Sequence, residues 1–426
     1  MTALTEQQIA IVKATAPVLK EHGVTITTVF YENMLRENPS LKNMFSMTSQ
    51  ANGRQPRALA GAVLAYATYV DDLPKLAHAV ERIAHKHASL FVTADQYDIV
   101  GRYLMQAIGQ VLGDAATPDI VDAWTAAYGV LAKVFIQREG DLYKANAADG
   151  WTAPGWRRFR IVKKVPESSV ITSFYLAPAD GVVPLPRFRP GQYVSLQIPV
   201  PQLGHLQSRQ YSLSSAPHPE GKFYRISVKR EEAADKAAGA AAVPGLISNL
   251  LHGRYNVGDE VELSHPQGEF FLDPGDASKA GVPAVLISGG VGATPLMAML
   301  ESLTAGAAVK RPVSWVHASR SRAVQPFAEQ VKQICRDNEG VTANVFLRNA
   351  GPDDREGVDY DFADTRLDLE KLHPEKDLFL SDPRADYFLC GPEPFMMDVR
   401  AALVARGVDK SRVYLELFAT GDVAEE

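Results

Sequence analysis

The sequence has few cysteines and no excess of positive charge. Its 426 residues include only two cysteines, which excludes a disulfide framework and makes a reducing cytoplasm the expected location. The formal net charge of −6 argues against nucleic acid as a partner, because phosphate binding requires a basic surface. With 46% hydrophobic and 22% charged residues, the composition is that of a soluble globular protein long enough for two or three domains.

The distribution of apolar residues predicts neither a secretory leader nor a membrane span. The first residues mix polar and apolar side chains and contain no continuous apolar segment of the kind that a secretory signal needs. One uncharged stretch of twenty residues, 281–300, contains four Gly and two Pro, which predicts a strand, a turn and a helix rather than a membrane span. We therefore expect a cytoplasmic protein without an integral membrane segment.

The tetrapeptide Arg209-Gln210-Tyr211-Ser212 lies in an alternating, strand-like stretch. Such a strand suits a flavin, because the cation can neutralise a pyrophosphate, the aromatic ring can lie against the flavin ring system, and the hydroxyl can reach a ring nitrogen. Taken alone, the four residues fit an ordinary strand with one buried Tyr equally well. The sequence on either side of them decides between the two interpretations.

Residues 1–146 have helical periodicity and almost no strand signals. One apolar stripe places His87 on the buried face of its helix, in line with Leu76, Val80, Ile83 and Leu90. A lone histidine in such a position is more often a satisfied core residue than a ligand. The alternative is the axial imidazole of a haem, which needs an apolar wall and a partner that holds the ring.

A candidate partner for His87 lies on a later helix. Glu139 falls on the buried stripe that contains Tyr128 and Phe135, and a buried carboxylate is costly unless it is paired. Tyr97 lies ten residues beyond His87, at the start of another predicted helix, where its hydroxyl could join the pair. This combination favours the haem-ligand interpretation of His87.

The rest of the chain changes character twice. Residues 140–156 have the composition of a linker, and short alternating strands separated by turns follow, a pattern typical of a small antiparallel barrel. Beyond residue 280, strand and helix signals alternate, which predicts a doubly wound parallel sheet. The turn GGVGATP joins its first strand to its first helix, with Pro295 standing where a third glycine of the dinucleotide motif would be.

These segments together resemble a flavohaemoglobin over essentially all 426 residues. The globin likeness is carried by TTVFYENML, NPSLKNMF, NGRQPRAL, IAHKHASL, QYDIVG and AYGVLAKVFIQRE, and the ferredoxin-reductase likeness by RPGQYVSL, RQYSLSS, GGVGATP and YFLCGP. The resemblance implies a multidomain chain with an all-α globin at 1–146, an antiparallel β-barrel FAD domain at 152–273, and an α/β doubly wound NAD(P)-binding domain at 280–426.

The resemblance assigns the haem-side residues. It makes His87 the proximal ligand of a haem b iron, with Tyr97 and Glu139 as its hydrogen-bonding partners. It makes Tyr31, Gln55 and Leu59 the distal residues, with Phe45 packed on the haem edge. Lys86 would tune the haem and flavin potentials, although a solvated lysine explains that residue as well.

The resemblance also assigns the FAD and nucleotide residues. For FAD it implies contacts from Tyr193, Arg209, Gln210, Tyr211 and Ser212, and the helix start that contains Ser248 would meet the pyrophosphate. For the nicotinamide nucleotide it implies the turn Gly290, Val291, Gly292, Ala293, Thr294 and Pro295, together with Cys390, Gly391 and Pro392. The C-terminal segment Glu416, Leu417, Phe418, Ala419 and Thr420 would place Phe418 over the flavin.

Three features depart from these expectations or leave them open. Ala419 and Thr420 replace the family's Gly and Pro, and residues 231–243 form a longer, Ala-rich segment to which we assign no function. The donor is NADH or NADPH. Ser319, Arg320 and Arg322 follow the second strand, where a 2′-phosphate could be held, but surface arginines are common, so NADH is slightly favoured as the usual donor. Cys390 as a nucleophile is the weaker alternative to its role beside the nicotinamide.

The implied function is that of an NO dioxygenase. A nicotinamide nucleotide would reduce FAD, FAD would pass electrons to the haem, and NO and O2 would be converted to nitrate. The alternatives are a reductase of lipid hydroperoxides, an anaerobic NO reductase, and a haem-based sensor or oxygen carrier, which has no need of residues 152–426. We expect a monomer whose partners are O2 and NO, with a lipid as a further candidate in the distal pocket.

Overall fold

A computed structural model describes residues 4–151, 155–231, 245–306 and 309–418. Most of the Ala-rich segment, together with Ala419 and Thr420, lies outside the described residues. The chain divides into two compact units: Met1–Trp156 with Gln197–Ser208, and Arg157–Leu196 with Arg209–Phe418.

The first unit is helical. Prolines begin two of its helices, as the sequence predicts, because a proline in the first turn loses no intrahelical hydrogen bond. The helices surround a core in which Ile26, Phe30 and Met34 are almost fully buried. The bounds are α1 Glu6–Ala14, α2 Ala16–Glu37, α3 Met47–Ala51, α4 Arg54–Thr68, α5 Ala77–Ser89, α6 Ala94–Leu112 and α7 Pro118–Ala148.

Helix α7 continues beyond the point at which composition predicts a linker. The expectation that the linker begins at Gly140 is wrong, because the helix ends only at Ala148. Leu142 is buried against the same cluster as Phe135, and the Tyr143 hydroxyl donates to the Val92 carbonyl at 2.7 Å. These tertiary contacts outweigh the polar composition of the segment.

Helices α6 and α7 approach closely at Gly101. A Cβ atom placed on Gly101 would lie 2.6 Å from the Tyr128 ring, which real side-chain carbons do not tolerate. The close approach lets the Tyr128 hydroxyl donate to the Tyr97 carbonyl at 2.6 Å. The glycine therefore helps to set the position of Tyr97.

After the helices, the chain forms an antiparallel sheet that closes on itself. Its strands lie in the order β4-β3-β6-β1-β2-β5, and a bridge between Leu213 and Ile226 connects the end of β4 to β5. The backbone N–H of Ser214 also donates to the Arg225 carbonyl at 2.9 Å. The elements are β1 Arg157–Pro166, β2 Ile171–Pro178, β3 Tyr193–Val200, β4 His205–Ser212, β5 Tyr224–Lys229, α8 Leu246–Gly253 and β6 Glu260–Leu263.

The remaining strands form a parallel sheet in the order β10-β9-β8-β7-β11-β12. The first strand, β7, lies between β8 and β11, so the strand order reverses at this point, and ligands of such sheets bind at the carboxyl ends there. The elements are β7 Ala284–Gly289, α9 Ala293–Thr304, β8 Val313–Ser319, α10 Ala328–Asp337, β9 Val341–Leu347, β10 Phe362–Ala363, β11 Asp386–Cys390, α11 Glu393–Ala405 and β12 Val413–Glu416.

These elements confirm the predicted fold class, with a helical block followed by an antiparallel barrel and a doubly wound parallel sheet. The predicted boundaries at 1–146, 152–273 and 280–426 remain predictions. Within the described parts of the chain, no helix is long and apolar enough to cross a lipid bilayer.

The approach at Gly101 gives a stability prediction. We expect Gly101→Ala to lower the free energy of unfolding by about 1–3 kcal/mol, because the new methyl group overlaps the Tyr128 ring. Gly109→Ala on the same helix is the control: no atom lies within 4 Å of its added carbon, so it should stabilise the helix by about 0.5–1 kcal/mol. Denaturant unfolding followed by helical circular dichroism measures both, and equal effects would contradict the packing argument.

Candidate functional site

Three helices of the first unit bring His87, Tyr97 and Glu139 together. The Nδ1 atom of His87 lies 2.9 Å from the Tyr97 hydroxyl and 2.8 Å from Glu139 Oε1. The Tyr97 hydroxyl donates to the same Glu139 oxygen at 2.5 Å. Glu139 is only 2% exposed, so these two hydrogen bonds compensate the burial of its carboxylate.

The arrangement leaves one imidazole nitrogen for a ligand. Because Nδ1 is engaged, a metal can be bound only by Nε2, and the carboxylate favours the tautomer that carries its proton on Nδ1. The Phe135 ring lies 5.7 Å from the His87 ring and provides an apolar wall. Burial, followed by the charge of Glu139, raises the pKa of Tyr97 far above its usual range, so its phenol stays protonated. These residues fit a haem iron with one axial histidine.

A second group of predicted residues meets on helices α2 and α4. Gln55 Nε2 donates to the Tyr31 hydroxyl at 3.3 Å, and the ring of Phe45 lies 5.5 Å from the Tyr31 ring. Leu59 packs against the same core. Burial raises the pKa of Tyr31 to about 12, while the hydrogen bond from Gln55 opposes the shift. Tyr31 therefore keeps its proton and can donate a hydrogen bond at physiological pH.

An ion pair that the sequence does not reveal joins the helices of His87 and Glu139. Arg138 on α7 donates through Nε and Nη2 to the two carboxylate oxygens of Glu81 on α5, at 2.6 and 2.5 Å. Each residue looks like ordinary surface charge in the sequence, although Arg138 directly precedes Glu139. Lys86, adjacent to His87, is half-buried.

The strand predicted to bind FAD carries a partly buried cation. Arg209 is half-buried, and burial lowers the pKa of its guanidinium. Tyr211 is half-buried, and burial raises the pKa of its phenol. Ser212 is 6% exposed, and Gln210 Nε2 donates to Ser195 Oγ at 2.9 Å.

Two further predicted FAD residues lie on neighbouring elements. Tyr193 at the start of β3 pairs with Gln267, and its ring covers Gly268, whose φ of +119° suits glycine. Ser248 on α8 is 8% exposed, and its hydroxyl accepts a hydrogen bond from the Glu231 backbone N–H at 3.3 Å. The chemistry of this set, a cation, two phenols and small hydroxyls, fits a flavin dinucleotide.

The glycine turn and the CGP segment lie against each other in the second unit. Cys390 is paired in register with Ser288 at the carboxyl end of β7. A Cβ atom on Gly292 would overlap the carbonyl group of Cys390 and the backbone nitrogen of Gly391. This close backbone approach at the start of α9 forms a cradle that fits a dinucleotide at the switch point.

The positions near this cradle differ in exposure. Thr294 and Pro295 are buried, and the Thr294 hydroxyl donates to the Val291 carbonyl at 2.9 Å. Cys390 is fully buried, and burial raises the pKa of its thiol well above the usual range. A thiol that stays protonated is a poor nucleophile, which favours a positioning role for Cys390.

The predicted C-terminal residues are only partly described. Glu416 on β12 pairs in register with Cys390, and Leu417 is half-buried. Phe418 is 49% exposed. Ala419 and Thr420 lie outside the described residues, so the predicted contact between Phe418 and the flavin stays a prediction.

The arginine that could hold a 2′-phosphate is already paired. Arg322 lies 3.8 Å from an Asp354 oxygen and 3.3 Å from an Asp359 oxygen. Ser319 uses its hydroxyl to donate to the Ser321 carbonyl at 3.1 Å, and Arg320 is exposed. A 2′-phosphate at Arg322 would have to compete with these two carboxylates.

The Gly292 cradle gives a binding prediction. We expect Gly292→Ala to weaken the affinity for NADH about tenfold, because the added methyl group pushes the turn away from Cys390 and Gly391. Gly306→Ala, at an exposed turn where no atom lies within 4 Å of the added carbon, serves as the control. Nucleotide titration followed by flavin fluorescence measures the affinity, and an unchanged value for Gly292→Ala would refute the cradle.

Family models match two parts of the chain: "Globin" covers residues 28–135, and "Oxidoreductase NAD-binding domain" covers residues 286–401. The chain is 50% identical to a flavohemoprotein of Bordetella pertussis over 417 residues, which is 97% of this chain and 98% of the relative. It is 46% identical to a flavohemoprotein of Rhizobium meliloti over 424 residues, which is 99% of this chain and 100% of that one.

Solved structures agree with these matches. A flavohemoglobin from Malassezia yamatoensis, determined with bound FAD and heme, is similar with a TM-score of 0.81 and 30% identity over 98% of this chain and 100% of that one. The FAD/NAD binding domain of a nitric oxide dioxygenase from Vibrio cholerae is similar with a TM-score of 0.50 and 35% identity over 62% of this chain and 98% of that one.

The predicted cofactors, haem, FAD and a nicotinamide nucleotide, agree with the matched families and with the residue sets described above. The reductase part, for which an oxygen sensor or carrier has no need, is present in the chain. By the length and identity of these matches, this chain belongs to the flavohaemoproteins, a family of oxidoreductases that join a globin to a reductase.

Proposed function

We propose that this protein is an NO dioxygenase, which uses a nicotinamide nucleotide and O2 to convert NO to nitrate. The observation that carries the proposal is that one globin unit contains both a buried, protonated Tyr31 and the hydrogen-bonded cluster of His87, Tyr97 and Glu139. A hydrogen-bond donor on one side and a strengthened axial imidazole on the other suit oxygen chemistry rather than oxygen storage. The similarity to the reductase part of a Vibrio cholerae nitric oxide dioxygenase supports the same activity.

We propose that the following residues would hold each cofactor. His87 would bind the haem iron through Nε2, with Phe45 and Leu59 against the haem and Lys86 beside it. Arg209, Gln210, Tyr211, Ser212, Tyr193 and Ser248 would hold FAD, and residues 290–295 with Cys390, Gly391 and Pro392 would hold the nucleotide. We propose the domain boundaries 1–146, 152–273 and 280–426 for these three parts.

When bound, FAD would accept a hydride from the nicotinamide and pass on single electrons, and the haem would supply an iron that reacts with O2 and NO. The reaction balances when two NO and two O2 react with one NADH to give two nitrate ions, one NAD⁺ and one proton. The protein contributes the environment in which these steps occur.

The residues around the haem hold protons at defined atoms. Tyr31 keeps a proton on Oη, which could be donated to a ligand of the haem, and Gln55 donates to that hydroxyl and so helps to orient it. Glu139 accepts from His87 Nδ1 and makes the opposite nitrogen, Nε2, a stronger donor of electron density. Tyr97 shares the Glu139 oxygen and fixes the position of the carboxylate.

The reaction is tested directly by NO consumption. With haem- and FAD-loaded protein, air and NADH, we expect rapid loss of NO with one nitrate formed for each NO consumed. NADPH in place of NADH should be slower, since the ion pairs of Arg322 oppose 2′-phosphate binding. Slow NO loss in fully loaded protein, combined with rapid turnover of an alkyl hydroperoxide, would contradict the proposal and favour a peroxide reductase.

The distal hydrogen bond gives a second prediction. Tyr31→Phe removes the donor, so we expect dioxygen to dissociate from the reduced protein about tenfold faster. In the parent protein the dissociation rate should stay constant as pH rises from neutral and change only near the phenol pKa of about 12, where the donor proton is lost.

Tyr103→Phe is the matched control for this variant. Tyr103 lies on α6, and its hydroxyl donates to a Glu37 oxygen at the end of α2, at 2.7 Å. The loss of this hydroxyl should leave the dioxygen dissociation rate unchanged. An unchanged rate in Tyr31→Phe would remove the distal hydrogen bond from the account.

The remaining expectations are proposals of the same kind. We propose a cytoplasmic monomer that acts on O2 and NO. A lipid in the distal pocket stays a prediction.

A further inference from the structure

A partly buried carboxylate on α9 accepts hydrogen bonds from three parts of the second unit. Glu301 accepts a hydrogen bond from Arg225 Nη2 on β5 at 3.1 Å, and its side chain is 19% exposed. The same oxygen, Oε1, accepts from Gln330 Nε2 on α10 at 2.5 Å. The other oxygen, Oε2, accepts from the Ala216 backbone N–H at 2.6 Å. Both oxygens are therefore committed to donors from other elements.

The cation of this pair is held as firmly. Arg225 is 4% exposed, and Nη2 also donates to the Ser214 carbonyl. The guanidinium lies 5.4 Å from the centre of the Phe327 ring, and Phe327 has a positive φ of 59° immediately before α10. Glu301 is the carboxylate that compensates the charge of Arg225. The Nε atom of Arg225 has no hydrogen-bond partner among the described residues.

The pair connects two segments that belong to different cofactor sites. Ser214 and Ala216 follow Ser212, the last residue of the strand that would hold FAD. Glu301 lies two turns beyond Thr294 on the same face of α9, the helix that begins at the nucleotide turn. Through Glu301 and Arg225, the Ala216 N–H and the Ser214 carbonyl are therefore connected to α9, the helix that follows the turn 290–295.

A buried ion pair is a weak device for stability, because the desolvation of two charges offsets most of their attraction. Such a pair does fix the relative position of the two segments that carry it, since both partners must stay within hydrogen-bond distance to avoid an uncompensated charge. We propose that the Arg225–Glu301 pair is the positioning element that sets the flavin site and the nicotinamide site in the arrangement needed for flavin reduction. The inference rests on the proposed electron route from nucleotide to FAD, and not on the fate of NO.

The variant Glu301→Gln tests the geometry with almost no change in shape. An amide has one accepting oxygen and one donating nitrogen, whereas both Glu301 oxygens face donors. In either orientation the amide nitrogen must face the Ala216 N–H or the Arg225 and Gln330 donors. Either the hydrogen bond from Ala216 or the hydrogen bonds from Arg225 and Gln330 are therefore lost, and Arg225 loses its compensating charge.

We expect Glu301→Gln to slow flavin reduction by NADH at least about tenfold at saturating NADH, because small displacements of reacting groups are costly. Anaerobic rapid mixing, followed by the loss of flavin absorbance, measures the limiting rate and the dissociation constant of NADH separately. The dissociation constant should change less than about threefold, since the binding residues are intact. With NADH deuterated at the transferred position, the isotope effect on flavin reduction should be fully expressed.

Glu329→Gln is the matched control. Glu329 lies on α10, its side chain is 76% exposed, and it pairs with Lys332 at 3.1 Å. The same substitution there should leave the limiting rate of flavin reduction unchanged.

A double variant separates positioning from stability. Arg225→Met with Glu301→Leu replaces the pair by apolar side chains and should recover the unfolding midpoint, because it leaves no buried charge. Flavin reduction should remain slow, since the Ala216 N–H still has no acceptor. If the double variant recovers both stability and rate, the pair is structural and the inference is wrong.

Three further outcomes bear on the positioning role of Glu301 and on the proposed electron route. A limiting rate in Glu301→Gln equal to that of the parent overturns the positioning role. If NADH fails to reduce the flavin in the parent protein, the proposed electron route fails, and this inference with it. Failure of NO consumption alone, with normal flavin reduction, contradicts the proposed reaction and leaves the test of Glu301 intact.

Discussion

A carboxylate that is 2% exposed on a long helix has to be compensated, and here the compensation comes from two other helices. Glu139 on α7 accepts hydrogen bonds from His87 on α5 and Tyr97 on α6. Breaking one contact would leave a buried charge or a buried phenol without a partner, so each helix restrains the other two. The function proposed for the globin depends on this restraint, because it fixes both the orientation and the basicity of the axial imidazole.

The second unit also contains a carboxylate that accepts hydrogen bonds from several elements. Glu301 is a partly buried carboxylate that accepts hydrogen bonds from β5, α10 and the segment after β4. At the start of the same helix, Gly292 allows the turn 290–295 to touch the backbone of Cys390 and Gly391. Both features determine where backbone segments lie, and neither supplies a reacting group. The reacting groups belong to the cofactors, and the chain controls their environment.

Much of this could be predicted from the sequence, because the signals are local. Helical periodicity placed His87 and Glu139 on buried faces, and the glycine turn with its following helix indicated a dinucleotide site. The length of α7 could not be predicted, since the contacts of Leu142 and Tyr143 that extend it are tertiary. Arg225 and Glu301 are 76 residues apart in sequence and resemble ordinary charged residues until the fold brings them together.

The central claim, that Glu139 strengthens the bond between His87 and the haem iron, can be measured by resonance Raman spectroscopy. The measured quantity is the iron–histidine stretching frequency of the reduced, ligand-free, haem-loaded protein. Glu139→Gln keeps a hydrogen-bond acceptor but removes the charge, so the account predicts a lower frequency than in the parent protein. An identical frequency in the two proteins would show that the carboxylate does not act on the iron and would contradict the account.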